Sequence, residues 1–468
     1  MTLPTGLDDF SRSGVTSGAA AAETTAAAPA IEAVPHVVAW NLTERCNLAC
    51  AHCYIAAGPW HGSGGELSTD EVRRIADEIL ELNPSPLFVL SGGEPLLRED
   101  LEEIAAHATG RGATVVVGTN GTGLTAERIE SLKEAGVTGV AVSVDSLTER
   151  YHDRFRHGAG ALGDTLEAVA RLREHELDFI VQTSLTRGNR GEVEEIAAWA
   201  ADAGAVCFNL YFLVETGRGS GMQGLDPAEN DAVLADLVRL QKEYRGRMMV
   251  RSKCQPQIMR HVHEADPDSP LLHYATRCPC GVQYCRITPE GKVTPCPYTP
   301  AVAGDLRRRS FGEVWRESEI FRSIRTAVDP GDGGALGGKC GRCEYRVVCG
   351  GCRARAYADT GDLLAADESC AYEPTGEEPV IRPATPATYG QAAETTLSWS
   401  PEARKRIERI PSFVRGVVTK RVETFAEREG LTEITPDVLD RIRQEMPVDF
   451  SKKLPFFARR GGEEEGDR

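Results

Sequence analysis

No stretch of the sequence approaches the ~18 consecutive apolar residues that a membrane-spanning helix needs, and the N-terminus has no basic segment leading into an apolar one. The first absence predicts a protein with no membrane partner. The second leaves no visible secretion signal, so a cytoplasmic location is expected. Positive charge is also short. Lys and Arg number 53 against 70 Asp and Glu, a formal net charge of −17, which would repel a phosphate backbone and argues against a nucleic-acid partner. The deficit is uneven: from Trp399 to Arg460 there are fourteen basic and ten acidic residues, net +4, leaving −21 on the rest. A basic segment on an acidic body suggests a separate module. Large apolar side chains are scarce in residues 1–35, where "SGAAAAETTAAAPA" has no core-forming period, and a disordered tail is expected there.

Cysteine, by contrast, is plentiful, with 14 residues in 468. In a reducing compartment disulfides are rare, so clustered cysteines point to metal. A chain of this length predicts two or three domains. From Val37 six apolar, strand-like runs alternate with stretches of helical period: "VVAWNL", "LFVLS", "TVVVG", "GVAVSVD", "DFIVQTSL" and "VCFNLYFL". "STDEVRRIADEIL" opens on a Ser/Thr cap with acids in its first turn, and Asp226 caps a later helix with Pro227 at its first position. This alternation predicts an α/β fold over residues 36–248, a parallel sheet closing into a partial (β/α)6 TIM-like barrel. Active residues are then expected at the C-terminal ends of the strands. A cysteine-dense region follows over 249–375, then a Pro/Thr/Glu-rich linker over 376–397. Residues 398–460 read as a small all-helical domain, with Phe413, Val417, Val418, Val422 and Phe425 on one helix face, and 461–468 as a charged tail.

"NLTERCNLACAHCY" places Cys46, Cys50 and Cys53 on the loop after the first strand, with no fourth thiol. Three thiolates can hold three irons of a [4Fe–4S] cluster and leave one iron open, although a zinc knuckle uses the same residue type. The CxxxCxxC pattern resembles the signature of the radical S-adenosylmethionine (SAM) superfamily. That resemblance implies that the fourth iron takes the amino and carboxylate groups of SAM. An electron from the cluster would then cleave SAM to methionine and a hydrogen-abstracting 5′-deoxyadenosyl radical. Other loops match at the expected strand ends. "SGGEP" brings Gly92, Gly93 and Glu94, which the resemblance places at the SAM amino group. "TNG" brings Asn120, and "SVD" brings Ser143 and Asp145, which the family uses for the ribose hydroxyls. His52 and Tyr54 flank Cys53, near the adenine or on the surface.

The second cysteine set is Cys278, Cys280, Cys285 and Cys296, then Cys340, Cys343, Cys349, Cys352 and Cys370. C-x2-C-x5-C-x2-C is metal-ligand spacing for zinc or iron–sulfur. Behind such a barrel it is similar to the SPASM domain, whose G-x4-C element is matched by Gly291 and Cys296. The resemblance implies two auxiliary [4Fe–4S] clusters with a role in electron transfer. Cys278, Cys285, Cys296 and Cys352 would hold one, and Cys340, Cys343, Cys349 and Cys370 the other. Cys349 and Cys352 enclose two residues, one fewer than the common SPASM spacing. Cys280 could replace Cys278, Cys254 is a further candidate ligand, and Cys207 reads as core.

"YFLVETGRG", "CGGCRARAYADTGD" and "CQPQIMRH" resemble stretches of the radical SAM enzymes of heme d1 and alternative heme biosynthesis. The final module is similar to a small domain of light-independent protochlorophyllide reductase. Together these imply a tetrapyrrole substrate and a reduced flavodoxin- or ferredoxin-type electron donor. The alternatives are a SPASM maturase acting on a ribosomally made peptide or protein, and a non-catalytic iron–sulfur electron-transfer protein. Under the tetrapyrrole reading, Arg404, Lys405, Arg415, Lys420 and Arg421 of the basic module are expected to meet substrate carboxylates at the open end of the barrel.

Overall fold

The computed structural model describes residues 33–444, apart from 268, 274–276, 329–334, 383–392, 394, 409 and 411. Residues 1–32 of the expected N-terminal tail and the charged C-terminal tail therefore lie outside the described residues, while Ala33 O and Pro35 O accept from Trp315 Nε1 and Asn83 Nδ2. The six strand-like runs form β1 (Val37–Asn41), β2 (Leu87–Ser91), β3 (Thr114–Thr119), β4 (Gly139–Ser143), β5 (Phe179–Leu185) and β6 (Cys207–Phe212). They lie side by side in chain order and are all parallel. Two more parallel strands extend the sheet beyond the expected six. β7 (Met249–Lys253) pairs with β6, and β8 (Tyr284–Ile287), from within the cysteine-dense region, pairs with β1. β9 (Lys292–Thr294) and β10 (Gly304–Asp305) continue that edge antiparallel.

Alternation along the strands separates two faces. Val38, Trp40, Phe88, Leu90, Val115, Val117, Val140, Val142, Val181, Phe208 and Val250 join one apolar core with the covering helices. The helix Thr69–Leu82 shows how the local sequence builds this layer. Ser68 and Glu71 form a reciprocal capping box, and Val72, Ile75 and Ile79 turn inward. Asp226, Pro227 and Glu229 start Pro227–Glu243 in the same way. The opposite face lines a lumen, and the sheet curls around it. Tyr284 of β8 packs against the same apolar cluster as Val214, which lies just after β6, although β1 to β5 separate those two strands in the sheet order.

The C-terminal module has its own core of Trp399, Ala403, Val422, Phe425, Ala426, Ile434, Val438 and Ile442, with Val418 against it. The side chains of Phe413 and Val417 fall outside the described residues. It is not all helical: β11 (Ser398–Trp399) and β12 (Glu433–Ile434) pair in parallel. Its position also corrects an expectation. Ser412 Oγ lies 2.8 Å from His36 Nδ1 and donates to Ser85 O at 2.9 Å, and Arg415 Nη2 donates to Ser85 Oγ at 3.0 Å. His36 and Ser85 immediately precede β1 and β2, so the module docks at the N-terminal ends of these strands, opposite the end where the cysteine loop lies. Among the described residues no helix is long and apolar enough to cross a membrane.

Candidate active site

The Cys46–Cys53 loop leaves the C-terminal end of β1 and is held on two sides. From β2, Gly93 N donates to Thr43 O at 2.7 Å and Glu94 N to Arg45 O at 2.8 Å. Gly92 has φ +145°, and a Cβ on Gly92 or Gly93 would collide with the backbone of Thr43 or Arg45. The paired glycines are thus required for two loops to interlock. From the segment after β6, Arg218 donates from Nη1 to Ala57 O at 2.7 Å, from Nε to Cys50 O at 2.9 Å and from its backbone N to Cys53 O at 3.0 Å. Sequence reasoning missed this clamp, although it lies within the quoted "ETGRG".

The three thiols gather in an apolar nest with Leu48, Ile55, Ala57 and Ala161. Burial pushes the Cys46 thiol up to about 12 and raises Cys50 as well. Among the described residues no three Cys, His, Asp or Glu side chains converge closely enough to hold a single metal ion. Three gathered thiols with no fourth fit the three-cysteine ligation of a cubane cluster with one iron left open.

Glu94 is buried. Its Oε1 accepts from Thr119 Oγ1 at 2.8 Å and Leu96 N at 3.1 Å, and its Oε2 from Asn120 N at 2.8 Å. Burial raises its carboxyl against these hydrogen bonds. Glu94 therefore locks the "TNG" loop to "SGGEP", with one lone-pair direction still unused. Asn120 Nδ2 donates to Asn47 Oδ1 at 2.9 Å and approaches Cys46 Sγ at 3.9 Å. Ser143 is half-buried on the lumen face. Asp145 is fully buried, accepting on Oδ2 from Arg156 Nε at 2.8 Å and on Oδ1 from Ser184 N at 2.8 Å. Burial would raise Asp145, but the Arg156 guanidinium holds it below the usual carboxylate value. Both its oxygens are thus engaged within the protein. His52 stacks on Phe155 with centroids 4.5 Å apart, and burial pulls its imidazole down to about 4. Tyr54 turns into the lumen, where its hydroxyl accepts from Asn41 Nδ2 at 2.7 Å.

The other cysteines form two groups. Cys340, Cys343, Cys349 and Cys370 gather as expected. In the second, Cys296 and Cys352 meet Cys278 and Cys280, with Cys254 beside them. Cys285 is not among them, which corrects its assignment. It sits on β8 next to Val38, on the face turned to the helices, in the apolar core with Trp315 and Phe321. The short Cys349–Cys352 spacing has a physical solution. Gly350 and Gly351 have φ +67° and +66°, and a Cβ on Gly351 would lie 2.9 Å from Cys340 Sγ. Two successive left-handed residues turn the chain sharply enough for Cys349 and Cys352 to serve different groups. Cys207 is buried on the lumen side of β6.

The lumen also holds residues that the motifs did not indicate. Arg251 and Lys253 of β7 lie beside Asn209 and Tyr211 of β6. Burial, reinforced by Arg251, lowers the Lys253 ammonium to about 8. Tyr54 and Tyr298 rings lie 5.2 Å apart, with the Arg286 guanidinium 5.5 Å from the Tyr54 centroid. The signal available was the alternation in "MVRSK" and "YCRI".

Comparison with known proteins agrees with this architecture. The radical SAM superfamily model matches residues 40–200, the SPASM iron–sulfur cluster-binding domain 278–344, and the proto-chlorophyllide reductase 57 kD subunit 399–443. An AdoMet-dependent heme synthase of Methanosarcina barkeri is 39% identical over 73% of this chain and 97% of its own length. That of Nitratidesulfovibrio vulgaris is 35% identical over 72% and 92%. Streptococcus suis SuiB bound to S-adenosylmethionine shares the fold, with a TM-score of 0.58 at 13% identity over 73% of this chain and 78% of SuiB. The chain therefore belongs to the radical SAM superfamily, as an enzyme that joins a SAM-binding barrel to a SPASM iron–sulfur domain and a protochlorophyllide-reductase-like C-terminal region.

Proposed function

We propose that this enzyme modifies side chains of a tetrapyrrole in heme-type biosynthesis. The observation that carries the reading is the 39% identity to a heme synthase spanning nearly that protein's whole length. Cys46, Cys50 and Cys53 would hold the SAM-binding cluster. The gathered thiols support an auxiliary cluster on Cys340, Cys343, Cys349 and Cys370, and another on Cys254, Cys296, Cys352 and one of Cys278 and Cys280. Bound at the first site, an iron–sulfur cluster with an open iron supplies, with SAM, a hydrogen-abstracting radical. The chain's own part is to hold and orient. Glycines and Arg218 fix the cysteine loop, and Glu94 and Asn120 join the next two strand ends to it. Asp145 secures Arg156 beneath it, leaving Ser143 as the "SVD" side chain open to a ribose hydroxyl.

The direct test supplies the anaerobically reconstituted enzyme with SAM, a low-potential reductant and iron coproporphyrin III. SAM cleavage stimulated by the porphyrin and a mass change in its side chains are expected. A porphyrin that neither binds nor reacts, together with modification of a peptide encoded beside this gene, would establish the maturase reading instead.

Two further results follow. Glu94→Ala should weaken SAM binding on the order of ten- to a hundred-fold, the loss of a charge-assisted hydrogen bond, with iron content unchanged. Equal SAM affinity by equilibrium titration would make Glu94 purely a loop lock. Truncation after residue 393 should leave porphyrin affinity unchanged, because the module sits at the opposite end of the barrel, and should lower the melting temperature by a few degrees. A truncated enzyme with weakened porphyrin binding would restore the basic module to the substrate site.

A further inference from the structure

The lumen face of the strands carries charge of one sign only. At the positions of β1 to β8 turned away from the helix-packed core, the charged residues are Arg251, Lys253 and Arg286, and none is a carboxylate. Arg286 is committed: its Nε donates to Asn41 Oδ1 at 2.6 Å and its Nη1 to Pro297 O at 3.3 Å. Lys253 is not. Among the described residues it makes no hydrogen bond or ion pair, and the groups acting on it are another cation, Arg251, and the thiols of Cys207 and Cys254. Lys253 and Arg251 thus set two cationic side chains on one stretch of the lumen face, beside Tyr211 and Asn209, where the strands themselves offer no carboxylate.

The surroundings limit what that anion belongs to. Tyr211 is the direct cross-strand neighbour of Lys253, and Tyr54, Tyr284 and Tyr298 lie close to it, giving the lumen a broad aromatic wall. Flat apolar faces beside a cationic strand suit a planar ring with carboxylate arms. A separate cavity of about 440 Å³ at the ends of β5 and β6 is a poorer seat, because Glu215, Asp226, Asp359 and Glu368 line it against Arg187 and Arg355.

We infer that Lys253, with Arg251 two residues before it on β7, receives a carboxylate side chain of the substrate and seats its ring in the lumen between the Cys46–Cys53 loop and the thiols around Cys254. This rests on the tetrapyrrole reading and adds to it a position and a polarity. Lys253 is a substrate-positioning residue here. SAM also has a carboxylate, but the family resemblance places that group on the open iron above the Cys46–Cys53 loop, at the end of β1 and in a different part of the sheet from β7.

The test uses the reconstituted full-length enzyme and its Lys253→Met and Lys253→Arg variants, with iron coproporphyrin III as the probe, followed by its absorbance change. Lys253→Met should weaken porphyrin binding by about ten- to a hundred-fold, leaving SAM affinity and iron content unchanged, and Lys253→Arg should recover most of it. The tetramethyl ester of the same porphyrin should bind wild type weakly and be indifferent to Lys253→Met. If wild type binds the porphyrin and Lys253→Met binds it equally well, the inference falls and the tetrapyrrole reading stands. A loss of SAM affinity in place of porphyrin affinity assigns the ammonium to SAM and also overturns it. Should Lys253→Met lose iron, the ester decides on wild type alone: binding as tight as that of the free acid overturns the inference. A wild type that binds no iron porphyrin removes the reading and the inference together.

Discussion

Replacing Cys46, Cys50 and Cys53 together by Ala is expected to abolish SAM cleavage and to remove about four of about twelve iron atoms, four per cubane cluster. The loss should be confined to one site because the three thiols share a single loop and a single apolar nest with Leu48, Ala57 and Ala161. The other two thiol groups are carried by later segments, around Cys296 and Cys352 and around Cys340 to Cys370. The loop should keep its path, since Arg218 and the Gly92–Gly93 backbone grip it through main-chain atoms that the substitutions leave in place. Iron and sulfide assays, with the 5′-deoxyadenosine formed under reducing conditions, read the result. A wild-type iron content near four with zinc making up the difference would sink the three-cluster assignment. SAM cleavage surviving in the triple variant would sink the assignment of the first site.

The six-strand core was legible because each run is apolar on the side that packs against a helix, and some of the helices that follow open on a readable cap, as at Ser68 and Asp226. β7 was not, because only Val250 of "MVRSK" enters the helix-packed core, and its alternate residues are a lumen arginine and lysine. β8 was hidden for a related reason: the two cysteines before it, Cys278 and Cys280, drew its Cys285 into a ligand count, although Cys285 alternates with lumen-facing Tyr284 and Arg286. Motifs name residues along the chain but not the contacts that hold them. Gly92 and Gly93 are required by their approach to Thr43 and Arg45, and Asp145 is held by Arg156 and Ser184. A motif marks where a side chain sits in the chain, while its partners come from elements far away in sequence. Docking of the basic module was illegible for the same reason, since Ser412 and Arg415 meet Ser85 across more than three hundred residues.

The distinction between Cys254 and Cys285 leads to the second large effect. Cys254→Ala is expected to lower iron content by up to about four atoms, whereas Cys285→Ala should leave it unchanged. Cys254 lies beside Cys278, Cys296 and Cys352. Its φ of +60°, a strained value for a residue with a Cβ, turns the chain directly after β7. Arg355 fixes this turn by donating to Cys254 O at 2.9 Å and to Gln255 Oε1 at 2.5 Å. Cys285, by contrast, is fully buried, and the one charged group that acts on it is Arg325. Its removal leaves a small cavity between apolar side chains, a cost of about 1–2 kcal/mol seen as a lower melting temperature. Two neighbours complicate the first variant in a readable way, because Cys278 and Cys280 both reach the group and Cys280 hydrogen-bonds to Cys278 and Cys296. If the spare thiol replaces Cys254, iron is retained in the single variant and lost when Cys254 and Cys280 are changed together. Iron lost in Cys285→Ala and kept in that double variant would return the fourth position to Cys285, and would require β8 to turn its helix-facing side toward the thiols, against the pairing of Cys285 with Val38.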